Sequence, residues 1–309
     1  GLFLSDLLKE PFFIIGLVLK ILLIIVFIPT IHSDWFVPFM VNWIENPFSL
    51  PWSTHLLSDG DPLAFPYGPI MFISHLPTTF IGWLMDSIFE LQYFTNVGFR
   101  VSLFCADLLL LLLLVQTFEE HFKRILTYYW LSPLILFITY WHGQTDLVPV
   151  ALFVSALALL KNGNFKVSGI LFALAVATKH SMIIGIPFVI LYLWSHNGYQ
   201  KQFQNFIKFF IISLLIVEVP FFLSDAFQLM VLENREMDKI YWLFLDMNNG
   251  NLIYLTPVTY VFLLYFFWRI RRVNFDLLLA SMGVAFSIVI LLTPSPPGWY
   301  IWLMPILAV

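Results

Sequence analysis

Charged residues are scarce in this sequence, and their scarcity excludes a soluble globular protein. Only 11% of the 309 residues are charged, whereas 60% are hydrophobic, and the mean hydropathy is +0.88. A soluble domain carries about 25% charged residues. A bilayer core about 30 Å thick is crossed by helices of roughly 20 apolar residues, and such runs recur from Phe12 to Val309. We therefore predict an all-α integral membrane protein.

Cysteine and basic charge are also in short supply. Cys105 is the single cysteine, which excludes an intramolecular disulfide and a CxxC metal site. The formal net charge of −4 gives no basic field for nucleic acid, so membrane lipids are the expected surroundings. The first apolar stretch lacks the pattern of a removable signal peptide, and we interpret it as a retained helix. Because the sequence opens at Gly1 without methionine and stops at Val309 inside an apolar run, we expect that one or both ends are trimmed, with the C-terminus a candidate for truncation.

Long apolar runs separated by short polar breaks fill the chain. They predict a polytopic bundle of about nine or ten spans, which forms one transmembrane domain over residues 1–309. The expected spans are 12–31, 98–116, 125–141, 147–160, 167–178 with 183–194, 206–223, 252–268, 275–293 and 299 onward.

Lysine and arginine in four short loops orient these spans. Loops 119–124, 161–166, 195–208 and 269–272 carry nine of the 15 basic residues, and basic loops stay on the cytoplasmic side. The opposite face then receives residues 32–96, which are too numerous for a connector and too apolar for a disordered linker. We interpret 32–96 as an extracytoplasmic loop on the membrane surface.

The stretch Pro69–Met85 within that loop has two interpretations. Taken as another span, it would invert every later loop and place the basic loop 269–272 outside, so we predict a surface-lying helix. The expected location of the whole protein is the plasma (inner) membrane of a prokaryote or the endoplasmic reticulum membrane.

Acidic residues of the outer loop are the first candidates for chemistry. Asp34 directly follows the first helix and precedes Trp35, so its carboxylate lies at the outer interface. That position suits a general base or, alternatively, a solvated loop acid. Asp59 and Asp61 either bind a divalent cation through their oxygens or form a turn. A divalent cation there is the one cofactor that the sequence suggests.

Two charged residues lie seven positions apart in one expected span. Arg100 and Asp107 share a helical face, about 10 Å from each other. Because a charge facing lipid costs several kcal/mol, Asp107 must face the protein interior or a water-filled cavity. Substrate binding and an interhelical hydrogen bond are both open for it. Arg100 is a candidate clamp for an anionic phosphate.

Two short polar segments fall on the same outer side. A corner between two apolar spans combines an imidazole, an amide and a carboxylate in His142, Gln144 and Asp146. Asp146 either contributes to a binding site or caps the following helix. Lys179 and His180 follow a short apolar helix, where they bind an anion or extend to the interface.

Several stretches, taken in order, resemble the GT-C superfamily of membrane glycosyltransferases, which use polyprenyl-phosphate-linked sugars. The closest resemblance is to mannosyltransferase-like members. The matching pieces are Asp34 after the first helix and the stretches 61–69, 100–107, 143–146, 175–179 and 297–305. Trp35 stands where the family often has a second acid, so a single base is expected, and His180 stands where relatives often have proline.

The resemblance implies a GT-C-like fold and a catalytic base at Asp34. It implies a polyprenyl-phosphate sugar as donor and a lipid or glycan as acceptor. Donor phosphate contacts are expected from Arg100, Lys179 and His180. Substrate contacts are expected in and beside the matching stretches, at Asp59, Asp61, Tyr67, Asp107, His142, Gln144, Asp146, Trp299 and Tyr300.

The topology leads to a compatible mechanism. There is no Gly-rich phosphate loop, and the polar cluster faces away from the cytoplasm, where nucleotide sugars are made, so a lipid must carry the sugar across. In an inverting transfer, Asp34 takes the proton of an acceptor hydroxyl while a cation stabilises the departing phosphate. Two alternatives stay open. One is a transporter or lipid flippase whose intramembrane charges line a path, and the other is a non-catalytic subunit with a membrane-protein partner.

Overall fold

The computed structural model describes residues 6–196, 198–270 and 273–309, and within them the chain is 77% helical. Arg271 and Arg272, from the last of the basic loops, lie outside the described residues. The helices are α1 (Pro11–Val26), α2 (Val37–Glu45), α3 (Pro51–Leu57), α4 (Pro69–Phe89), α5 (Phe94–Thr117), α6 (Leu147–Lys161), α7 (Phe165–Thr178), α8 (Ile186–Trp194), α9 (Gln200–Phe222), α10 (Leu255–Arg269), α11 (Phe275–Leu292) and α12 (Met304–Ala308).

Shorter pieces connect these helices. One-turn α-helices lie at Phe122–Arg124, Pro133–Ile135 and Asp225–Phe227. π-Helical turns lie at His32–Phe36, Ile125–Trp130, Leu136–Trp141 and Gln228–Leu232, and 3₁₀ turns at Glu119–His121, His180–Gly185, Arg235–Tyr241 and Pro297–Trp302. Strands β1 (Phe244–Asp246) and β2 (Leu252–Tyr254) form an antiparallel hairpin with Phe244 opposite Tyr254.

The helical class predicted from composition is confirmed, and α5, α9 and α11 are long and apolar enough to cross a membrane. Among the described residues, shorter apolar helices lie at Pro11–Val26, Leu147–Lys161, Phe165–Thr178 and His180–Trp194. Helical segments occupy each of the expected spans. By length and composition, three of them qualify as membrane spans within the described part of the chain.

Two of the expected spans are interrupted for local reasons. Between 125 and 141 the helical path breaks at Ser132, whose backbone is extended ahead of Pro133, as is usual for a residue that precedes proline. At the end of α7, Lys179 has an extended backbone (φ −149°, ψ 114°). The chain then makes a 3₁₀ turn before Pro187 in the first turn of α8. This break places Lys179 in a bend rather than on a continuous helix.

Apolar side chains pack in two clusters. The larger one joins α5, α6, α7 and α11. The smaller one gathers aromatic rings from the outer loop, where Phe39 stacks on Phe65 with centroids 4.2 Å apart and both rings are completely buried. Burial of such rings stabilises a fold by roughly 1.5–3 kcal/mol each. The loop 32–96 is therefore a packed part of the protein, which agrees with its aromatic composition.

Helix α4 contains the helix predicted at residues 69–85. It continues to Phe89 and packs along α5 in an antiparallel hairpin. A Cβ at Gly82 would meet the carbonyl of Phe94, and one at Gly98 would meet that of Thr78, so glycine permits the close approach. The carboxylate of Asp86 accepts the backbone N–H of Phe94 at 2.8 Å. The helix predicted in this stretch is therefore present, and α5 is the helix that it packs against.

Candidate functional site

Lys179 and Asp146 form the central ion pair of the candidate site. Lys179 Nζ lies 2.6 Å from Asp146 Oδ1, and the lysine side chain is 13% exposed while the aspartate is buried. Trp302 Nε1 donates to the same oxygen at 2.8 Å. Asp146 stands just before α6, but its side chain makes no capping bond to that helix. Asp146 therefore does not cap α6 through its side chain. Its partner is Lys179, in the bend after α7.

The second oxygen of Asp146 faces the turn 297–302. Oδ2 is buried and has no hydrogen-bond partner among the described residues. A Cβ at Gly298 would collide with Asp146 Oδ2 and approach Gln144 Oε1. Glycine is required for the turn to come this close, and the site keeps a buried polar atom that a ligand can satisfy.

Aromatic rings enclose the ion pair. Tyr67 and Trp302 have ring centroids 5.4 Å and 5.5 Å from Lys179 Nζ, and Trp299 stacks on Trp302 at 5.0 Å. Burial raises the pKa of Tyr67, and the carboxylate of Asp146 adds to the rise. The phenol therefore remains a proton-bearing hydrogen-bond donor.

A second polar pair lies beside the first. His180 Nε2 and Glu218 Oε1, on α9, are 3.2 Å apart, and their side chains are 25% and 13% exposed. The loop before α4 closes over this region, because Gly68 N–H donates to the carbonyl of Thr178 at 3.1 Å. The site thus combines two cationic or ionisable groups with two carboxylates.

Asp34 is exposed on the π-helical turn that follows α1. Its Oδ1 accepts the hydroxyl of Ser33 at 2.7 Å. Two residues earlier, His32 is buried and lies 2.7 Å from the carbonyl of Gly143. Gly143 has φ +89°, a conformation that favours glycine. The segment that carries Asp34 therefore packs on the corner that carries Asp146.

Arg100 does not belong to this site, which corrects the expectation of a phosphate clamp. Its side chain is buried, and it donates to the carbonyls of Leu23 and Ile24 at 2.7 and 2.8 Å and to that of Phe27. Another guanidinium nitrogen donates to the carbonyl of Tyr140 at 2.6 Å. These carbonyls belong to the last turn of α1 and its C-terminal end, where carbonyls lack partners within the helix, although that of Leu23 also accepts the N–H of Phe27. Arg100 is a cap for that helix.

Asp107 is likewise occupied in the interior. Lys20 Nζ and the hydroxyls of Tyr129 and Tyr140 lie 2.6, 2.6 and 2.5 Å from its two oxygens. Lys20 and Asp107 are completely buried. Of the two roles that the sequence left open for Asp107, the interhelical hydrogen bond is the one observed. Both carboxylate oxygens already accept hydrogen bonds, so the expected contact with a substrate is not supported.

The acidic pair of the outer loop forms a turn. Asp61 Oδ1 accepts the N–H of Leu63 at 2.8 Å, and its carbonyl lies 3.2 Å from His55 Nε2. Asp59 is exposed with φ +56°. Burial lowers the pKa of His55 despite the nearby Asp61. The bond from Leu63 to Asp61 is that of a turn, and within the described residues no three His, Cys, Asp or Glu side chains are placed to hold a metal ion.

The structure thus brings together Tyr67, Gln144, Asp146, Lys179, His180 and Trp299 from the expected set. His142, partly exposed, lies at the edge, 3.4 Å from Gln144 Nε2. Tyr300 is 40% exposed.

Sequence reasoning missed Glu218, Trp302 and the hydroxyl of Thr145 as members of the site. A signal for Glu218 was available, since an acid within an apolar span is a candidate for function. Comparisons of the chain with protein-family models, curated proteins and solved structures found no match.

Proposed function

We propose that the protein is an integral membrane glycosyltransferase that moves a sugar from a polyprenyl-phosphate donor to a hydroxyl acceptor at the extracytoplasmic or lumenal face. The observation that carries the proposal is the placement of an exposed carboxylate, Asp34, on a segment packed against the corner of the Lys179–Asp146 pair. A sugar phosphate needs these opposite charges, a base for the acceptor and a cation for the leaving group.

Lys179 is the group that receives the donor phosphate. An ammonium has three donors, and one of them is directed at Asp146. The 13% exposure of the lysine leaves an approach to the rest. Asp146 orients the ammonium, and the buried rings around it exclude water, which strengthens its attraction for a phosphate.

Asp34 acts as the general base in an inverting displacement. The acceptor oxygen attacks the anomeric carbon from the face opposite the phosphate, and its proton passes to the Asp34 carboxylate. The bond between the anomeric carbon and the phosphate oxygen breaks, and its electron pair stays on the phosphate beside Lys179. The acceptor class is a lipid, a glycan or a protein hydroxyl, and the resemblance to mannosyltransferase-like GT-C enzymes favours a hexose as the sugar.

The test is transfer by the purified protein from a panel of polyprenyl-phosphate sugars. Replacing the base, Asp34→Asn, is expected to lower transfer by about 100-fold or more, in the range found for general base catalysis. Asp59→Asn is the matched control, since Asp59 is an exposed acid in the same loop, and it should transfer at the wild-type rate.

Full transfer by a normally folded Asp34→Asn protein would refute the base assignment. Movement of an intact lipid-linked sugar across vesicles, without transfer, would favour the flippase alternative instead.

A further inference from the structure

Glu218 is an ionisable residue on an apolar helix that needs an explanation. It lies on α9, which is long and apolar enough to cross a membrane. Its helical neighbours Leu215, Ile216 and Val219 are 54%, 69% and 53% exposed. A carboxylate among such side chains is costly in a bilayer and by default marks function. Its position beside the proposed site suggests what that function is.

The partner of Glu218 is the imidazole of His180. The two side chains meet through Nε2 and Oε1 at 3.2 Å, which leaves the other ring nitrogen, Nδ1, outside this bond. A carboxylate that engages one ring nitrogen orients the imidazole. In the imidazolium form the other nitrogen also carries a proton, which can be given away.

We propose that Glu218 and His180 form the acid that protonates the departing phosphate, with Glu218 as a positioning residue; this rests on the proposed function. As the bond from the anomeric carbon to the phosphate oxygen breaks, its electron pair remains on that oxygen. The oxygen takes the imidazolium proton, which leaves a neutral His180. The acceptor's own proton goes to Asp34, so the two protons are handled by separate groups, and solvent restores both.

Other ionisable groups near His180 are already bound to partners within the protein. Lys179 is its chain neighbour and is paired with Asp146. Tyr260 of α10 donates its hydroxyl to the carbonyl of Ile184 at 2.7 Å. The helices α6, α7, α8 and α11 also pack against the turn 180–185. Their titratable side chains lie toward the helix ends remote from it, at Lys161, Lys166, Tyr192 and Asp276.

The test is the pH profile of transfer from a polyprenyl-phosphate sugar for the wild type, His180→Gln and Glu218→Gln. His180→Gln should transfer about 100-fold more slowly and lose the decline in rate at alkaline pH. Glu218→Gln should keep that decline but shift it to lower pH, because the imidazolium loses the carboxylate that favours it. A merely structural role for Glu218 would change the rate without moving the profile.

The chain provides a matched control in a second His–Glu pair. His121 and Glu120 are 4.0 Å apart at a site remote in sequence from the ion pair, and His121→Gln and Glu120→Gln should leave rate and profile unchanged. If the wild type transfers the sugar and both His180→Gln and Glu218→Gln keep its pH profile, the proposed role of His180 and Glu218 is overturned and the proposed function is not. If the wild type transfers a sugar from none of the donors, the proposed function and the role of His180 and Glu218 are overturned together. Melting temperatures in detergent separate a loss of activity from a failure to fold.

Discussion

Asp107 receives three donors in the interior of the protein, and its environment explains why a charge is tolerated there. Lys20 neutralises it, two tyrosine hydroxyls donate to its oxygens, and Lys20 Nζ also lies 3.5 Å from the centroid of the Trp130 ring. A buried pair is retained only when such additional bonds offset the loss of hydration. The burial of Asp107 and Lys20 therefore depends on their pairing and on the two tyrosine hydroxyls.

Removing one partner of this pair should destabilise the protein strongly. Asp107→Asn leaves Lys20 buried without a counter-charge, which costs about 3–5 kcal/mol, measurable by denaturant unfolding in detergent micelles. The double replacement Lys20→Met with Asp107→Leu should cost less, because no charge stays buried. Asp59→Asn, on the surface, should change stability by no more than about 0.5 kcal/mol. An Asp107→Asn protein as stable as the wild type would contradict this account.

Individual residues show where sequence reasoning stops. The cost of a charge in an apolar span predicts correctly that Asp107 faces inward. It cannot name Lys20 as the partner, because 87 positions separate the two residues. Lys179 and Asp146 were both identified from local sequence, yet their direct contact depends on how α6 and α7 pack. Arg100 was assigned to a phosphate because the backbone carbonyls that it satisfies cannot be seen in a pattern of side chains.

At the scale of elements, hydropathy located the helices well and their partners poorly. The predicted spans 98–116 and 275–293 correspond to α5 (Phe94–Thr117) and α11 (Phe275–Leu292). The pairing of α4 with α5 was missed, because an apolar run indicates a helix without indicating what it packs against. The π-helical turns were missed as well, since no residue pattern distinguishes them from α-helix.

The glycines of the α4–α5 hairpin provide a test of that pairing. Gly82→Leu should lower the free energy of unfolding by about 1–3 kcal/mol, the usual cost of forcing a larger side chain into a packed contact. The collision is with the backbone carbonyl of Phe94, which cannot turn aside as a side chain can. Gly198→Leu is the control, because a Cβ there has no neighbour within 4 Å. Equal stability of the two variants would show that the helices do not pack this closely.

For the whole molecule, the distribution of basic loops predicts an orientation that labelling can check. Cys105 is exposed, so Cys105→Ser supplies a cysteine-free background. In sealed membrane vesicles, Glu120→Cys and Asn162→Cys should react with an impermeant thiol reagent from the cytoplasmic side. Phe48→Cys, at a position that is 100% exposed in the outer loop, should react from the opposite side. Labelling of all three from one side would overturn the predicted orientation.

Lys20, which lies on α1, and Arg100, which binds carbonyls of α1, also restrict the movement of this helix. A slide of α1 by one residue, about 1.5 Å along its axis, would separate Lys20 from Asp107 and the carbonyls of Leu23 and Ile24 from Arg100. Helix α1 is thereby held in place, and it anchors the segment of Asp34 that follows it. Under the proposed function, the base side of the reaction is therefore anchored by α1, while the phosphate side lies next to the loop 61–68, which the bond from Gly68 to Thr178 ties to α7.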